Sequence, residues 1–293
     1  MHRRRALLIA AALVVAGAAA GLGWLQALGY LPAGVPTEPA EFSYRPLGEA
    51  LRHVDSSGRV DYVGLQRDRA GLDAFVGSLA RFSPESRPDL FPEREEQLAY
   101  WLNAYNALAL QAIADRYPGL ESPRDLLGSR FYWGLSWPVG GRRLSLYAVV
   151  SRFLRHELAD ARAHFATANG TLGGAALEAT PFMPDTVDAQ LDDAARRFMR
   201  DRRHVRLEQS VVHLSPVFEW YRVDFEGALP EGRTGGVLQV VWAYLPEACD
   251  ERPGCDTRAD LDRVCGPQLN RCQVAFDEPD WALNDAVGRN VGR

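Results

Sequence analysis

The 293-residue chain carries 33 Lys and Arg against 38 Asp and Glu, a net charge of −5 at pH 7, and 47% of its residues are hydrophobic. That balance suits a globular protein, and with no basic stripe beyond the first five residues it argues against nucleic acid as a partner. The part after the N-terminal segment, about 250 residues, is long enough to bury one full core.

Arg3, Arg4 and Arg5 precede an apolar run, residues 6–25, without a charged or polar side chain other than the Trp24 ring. As a helix that run spans roughly 30 Å, the thickness of a bilayer core, with the arginines on the cytoplasmic side. Residues 1–30 therefore read as a single N-terminal anchor in the bacterial inner membrane. Residues 31–40, with Pro32, Pro36 and Pro39, read as a linker, and residues 41–293 as an exported domain in the periplasm. The alternative is a signal segment cut after a small-residue site among Ala16, Ala18 and Ala20, which would release the chain to the periplasm. No Cys lies near that site, which argues against a lipid anchor.

In chain order, residues 49–54 are expected to be helical, followed by a turn at Asp55-Ser56-Ser57-Gly58. Residues 65–82 read as one helix, and Pro84 and Pro88 mark a loop. The clearest element spans residues 95–116. There Leu98, Trp101, Leu102, Tyr105, Leu108, Ala109, Ala112 and Ile113 keep helical spacing, and Glu93, Glu95 and Glu96 suit the positive end of its dipole. Asn103 and Asn106 sit three apart on a helix that is apolar nearly all round. They either tie it to neighbouring loops or line a pocket. Gly140-Gly141 predicts a β-turn beside a short strand, and Ser145 predicts the cap of a helix over 146–158. An amphipathic helix is expected over 191–202, and a hairpin over 205–207 and 211–214 with its turn at Glu208-Gln209-Ser210. A short helix follows from Ser215-Pro216, and residues 237–245 form a further apolar segment. The fold class is α+β: a mainly helical single domain with a few short strands.

The four cysteines, Cys249, Cys255, Cys265 and Cys272, form an even set in an exported chain and predict two disulfides. Three pairings are possible, and Cys249–Cys255 with Cys265–Cys272 closes short loops. A four-thiolate zinc site is disfavoured, because no C-x-x-C pair occurs. No phosphate loop, H-E-x-x-H or EF-hand pattern implies a cofactor or metal.

The stretch Tyr100-Trp101-Leu102-Asn103-Ala104-Tyr105-Asn106-Ala107-Leu108 resembles the signature of the domain of unknown function 547 family. Four later stretches agree in order: His164-Phe165-Ala166, Leu191-Asp192-Asp193-Ala194-Ala195-Arg196-Arg197-Phe198, Phe218-Glu219-Trp220-Tyr221-Arg222-Val223-Asp224-Phe225 and Asp280-Trp281-Ala282-Leu283-Asn284. The resemblance covers about residues 47–284. Where the family usually has Cys after His-Phe-Ala and then Ser-Cys-Pro-Pro, ungapped counting puts Asn169 and Gly174 on the two Cys positions, with Ala175 and Ala176 on the prolines. The family's Glu-His pair falls on Val150 and Ser151.

A Cys with a His partner would make a nucleophile and base, and two exported cysteines would equally make a disulfide. This chain can do neither at those positions. His156 lies five positions after Ser151 and, on an α-helix, would face another side. His53, His204 and His213 lack metal-like spacing. The sequence therefore implies a membrane-tethered periplasmic module without thiol chemistry that binds an envelope ligand or protein. Its candidate pocket residues are Trp101, Asn103, Asn106, His164, Asn169, Trp220 and Tyr221, and Asn169 is also a candidate oxyanion donor. The alternatives are a cell-envelope hydrolase using unassigned residues and a structural envelope protein.

Overall fold

A computed structural model describes residues 41–126, 130–226, 236–249 and 255–287. The expected anchor and linker lie outside these residues. Among the described residues no helix is long and apolar enough to cross a membrane.

The N-terminal half begins with α1 (Arg45–Ala50), which tightens into one 3-10 turn over Leu51–His53. The Asp55–Gly58 turn is closed by an antiparallel bridge between Val54 and Val60. The single helix expected over 65–82 is two, α2 (Tyr62–Arg67) and α3 (Ala70–Leu79). The first starts earlier because Asp61 caps it, Oδ1 accepting from Gly64 N at 2.9 Å. It stops at Asp68, whose φ of −119° and ψ of 61° leave the helical region.

Helix α4 (Arg94–Ala114) is the spine. A capping box satisfies its first turn, with Glu93 N donating to Glu96 Oε2 at 2.9 Å. From residue 98 to its end every residue is buried, so it has no solvent face. Trp101 stacks on Phe153 with centroids 3.6 Å apart. Three buried amides fasten the spine: Asn103 to the backbone of Phe182, Asn106 to Ala166 and Ala168, and Gln111 to the indole N–H of Trp137. The loop-tying role expected of Asn103 and Asn106 is thus what their bonds perform.

After α5 (Arg130–Trp133), strands β1 (Trp137–Val139) and β2 (Arg142–Leu144) pair through Gly140-Gly141, both at positive φ, as the Gly-Gly pair predicts. Ser145 caps α6 (Leu146–Ala148), its Oγ accepting from Ala148 N. The helix then continues as a π-helix over Val149–Glu157, closed by Leu158 N donating to Phe153 O at 2.8 Å. The facing expected for His156 assumes α winding, and the wider π turn changes the angle between it and Ser151; Ser151 is half-buried and His156 exposed.

Helix α7 (Val187–Arg200) joins two cores. Val187, Leu191 and Ala194 pack with the N-terminal half; Ala195, Phe198 and Met199 pack with the C-terminal half. Arg162 reinforces that junction by pairing with Asp160, Asp188 and Asp192. The second core continues through β3 (Val205–Glu208) and β4 (Val211–Leu214), an antiparallel hairpin. Its turn lacks glycine, and Gln209 takes the left-handed conformation at φ 53°. Then come α8 (Val217–Trp220), α9 (Arg222–Glu226), α10 (Val237–Tyr244) and α11 (Arg258–Cys265). Strand β5 (Gln273–Phe276) adds to β4 in parallel, giving the order β3-β4-β5. The disulfides are Cys249–Cys255 and Cys265–Cys272, so no cysteine is free. The two cores form one mixed, mainly helical domain.

Candidate functional site

The central loop after His164-Phe165-Ala166 is held from both sides. Asn106 bonds its start, and the terminal motif bonds its middle. There Leu172 N donates to Ala282 O at 2.8 Å, Gly173 N to Asp280 O at 2.8 Å, and Asn284 N to Gly170 O at 3.0 Å. Asn284 also accepts from the Tyr62 hydroxyl at 2.7 Å, which ties the same corner to α2. Three sequence-distant stretches that carry the family resemblance therefore meet around one loop.

Within that loop Asn169 and Gly174 face each other. A Cβ placed on Gly174 would lie 2.2 Å from Asn169 Oδ1 and 2.8 Å from its Cγ, far inside contact distance. Asn169 Oδ1 accepts from Thr171 N at 3.0 Å and from Thr171 Oγ1 at 2.7 Å, and the Tyr132 hydroxyl bonds the same side chain. The amide thus fills the volume that a side chain at 174 would need. The two positions counted as the family's cysteines adjoin in space, as a disulfide or a coupled thiol pair would require.

Beside this loop opens a cavity of about 920 Å³. Its walls are the 55–59 turn, loop residues Thr171, Leu172, Gly174, Ala175 and Ala176, the end of α7, the turn that follows it, and Asn284. The α7 end and turn contribute Arg197, Arg200, Asp201, Arg202, Arg203 and His204. Gly58, at φ 80°, lets the first turn approach the loop closely: a Cβ there would lie 2.7 Å from that of Ala176. His204 is 3% exposed and lies flat on Phe198, centroids 3.7 Å apart and planes 2° apart. Its Nδ1 is buried without a hydrogen-bond partner. Burial pushes its imidazole down to about 4, so the ring is neutral at neutral pH. Asp201 is held low by Arg203 despite its burial, which acts the other way.

A second constellation lies on the other side of Phe165. His164 Nε2 contacts Asp224 Oδ2 at 2.8 Å, and Arg155 grips both oxygens of the same carboxylate. Burial alone would raise the Asp224 carboxyl, but the bonds from His164 and Arg155 outweigh it and hold it well below the usual carboxylate range. Burial lowers His164, and Asp224 only partly offsets that. An ionised carboxylate only accepts, so Nε2 of neutral His164 carries the proton and Nδ1 the lone pair. Tyr221 stacks on the His164 ring at 3.7 Å, and Arg155 lies over the Tyr221 ring. Such a dyad could serve a base, yet among the described residues no hydroxyl or thiol bonds His164.

Of the candidate residues, His164 and Tyr221 are brought into contact, and Asn169 reaches the same neighbourhood through Tyr132, whose hydroxyl also senses Tyr221. Trp101 and Asn103 lie in the first core, 2% and 1% exposed. Asn106 borders a void of about 10 Å³, too small for a ligand. Trp220 is half exposed and stacks on Trp281, over which Arg124 sits. Sequence reasoning missed Asp224, Arg155 and the cavity. Asp224 lay in the same quoted motif as Trp220 and Tyr221, which was its available signal. Among the described residues no group of His, Cys, Asp and Glu is arranged to hold a metal ion.

Residues 90–199 match the family described as "Protein of unknown function, DUF547". The match includes the spine helix, the central loop and most of α7, and it supports the resemblance read from the sequence. No curated protein and no solved structure matches the chain.

Proposed function

We propose that this chain is a ligand-binding module of the bacterial cell envelope, without thiol chemistry. In this reading residues 1–30 anchor it in the inner membrane and the domain projects into the periplasm. Cleavage of that segment would instead release it there. The observation that carries the binding role is the pairing of Asn169 with Gly174 at the edge of a roomy cavity. The positions suited to a nucleophile hold an amide against a glycine, while the concavity beside them persists at a size typical of small-molecule sites. Both disulfides fit an oxidising compartment and leave no thiol in the chain.

The test is thermal unfolding of the purified, oxidised protein against envelope-derived peptides, sugars, lipid head groups and metal ions. A concentration-dependent rise in melting temperature supports the binding role, since a ligand of the native state stabilises it by mass action. A flat response across the panel removes it and leaves a structural envelope role. Location is tested separately, by whether protease added to spheroplasts digests the domain.

A second reading, a cell-envelope hydrolase, is favoured by the His164–Asp224 pair. It predicts turnover that is abolished by His164→Gln and unaffected by thiol reagents.

A further inference from the structure

The cavity is unevenly charged. Five arginines and two aspartates line it, an excess of three positive charges. Three of the arginines have acidic partners: Arg197 with Glu178, Arg203 with Asp201, and Arg202 with Asp256. Arg200 is in no ion pair among the described residues, and Arg59 meets only the field of Asp55. Asp55 is itself occupied within its turn, accepting from Ser57 N, Ser57 Oγ and Arg59 N. Arg200 also lies in the last turn of α7, where a cation favours the helix dipole. That accounts for a charge there but not for two uncommitted guanidiniums around one concavity. The neighbouring wall adds His204, a buried ring with an unsatisfied nitrogen. Buried polar atoms are normally paired, so an exception calls for an explanation such as a bound water or ligand. With the other nitrogen bonding the Gly174 backbone, Nδ1 of the neutral ring is an acceptor suited to a hydroxyl of the ligand rather than to its charged group.

We infer that this cavity binds an organic anion, a small molecule carrying a carboxylate or phosphate group that is held by Arg200 and Arg59. The planar guanidinium fork suits either group, whereas a neutral ligand would leave both charges unanswered. The inference rests on the binding role proposed above and specifies its ligand.

The experiment is isothermal titration of the full-length protein in detergent with three probes: glucuronate, glucose 6-phosphate and neutral glucose. The expected result is that at least one anionic probe binds about tenfold or more tightly than glucose, the size of one charge-assisted hydrogen bond. Comparison of the two anions separates carboxylate from phosphate. Arg200→Gln and Arg59→Gln should each weaken that binding about tenfold at unchanged melting temperature. Arg200→Lys should restore part of it. Equal binding of glucose, or anion binding untouched by both Gln variants, overturns the anion assignment but leaves the binding role standing. No heat from any probe also overturns it, and the wider thermal panel then decides the binding role independently.

Discussion

His164 and His204 are two buried histidines in one domain, each stacked on an aromatic ring at 3.7 Å, and they have been treated oppositely by their surroundings. His164 faces Asp224, itself gripped by Arg155, and its Nε2 belongs to that charged network. His204 has no carboxylate bonded to its ring among the described residues, though Asp201 lies near enough to act on it; it keeps Nδ1 unpaired and lines a cavity rimmed with arginines. Burial alone therefore does not mark a working histidine. The one bonded to Asp224 behaves as a joint between α9 and the central loop, and the one without a bonded carboxylate sits where the molecule has kept room.

The largest expected effect lies on the His164 side. Asp224→Ala strands Arg155 as an unpaired, half-buried charge and should cost about 3–4 kcal/mol in urea denaturation, whereas Asp224→Asn keeps an acceptor and should cost less. Equal stability of the Ala variant and the parent would erase the distinction between the two histidines.

The next effect concerns pH and the other ring. The folded His204 titrates near 4 and the unfolded one near 6.5, so the unfolded chain binds the extra proton between those values. Its stabilising contribution is therefore complete above about pH 6.5 and is lost as pH falls toward 4, by roughly 3 kcal/mol at most. His204→Phe should flatten that part of the stability–pH curve. An unchanged slope would place the neutral imidazole elsewhere. The contribution of Asp224 has the same sign but is lost at lower pH, because its folded carboxyl is depressed.

A smaller effect tests the loop between them. Gly174→Ala forces a Cβ onto Asn169 and should destabilise by about 2 kcal/mol, and Asn169→Ala made in addition should recover most of it. Strict additivity would show that the two side-chain positions do not share volume. The smallest effect is Arg200→Gln, expected within about 0.5 kcal/mol of the parent because the group is exposed and unpaired. Any larger loss would make Arg200 a structural residue.

Much of the fold was legible because it rests on local rules. The apolar run of α4, the Gly-Gly turn, the Ser145 cap and the two short disulfide loops each declare themselves within a few residues. The break at Asp68 was not legible, since residues 65–70 contain no Gly or Pro to signal it. Nor was the π winding after Val149, which replaces the α geometry assumed for Ser151 and His156. The parallel β5 escaped notice because its partner β4 lies some sixty residues earlier. The site was less legible still. Asn169 and Gly174 were identified through the family pattern, but their contact depends on the loop's return. The cavity is assembled from turns near residues 57, 173 and 202 together with Asn284, and no single window of sequence contains it.

The most direct test is proton–nitrogen correlation NMR of the imidazole rings of the nitrogen-15-labelled protein while the tighter-binding of the two anionic probes is added. The account predicts that the His204 resonances shift with saturation and those of His164 stay fixed. Movement of His164 with a silent His204 would put the ligand against the Asp224 network and contradict the assignment of the cavity.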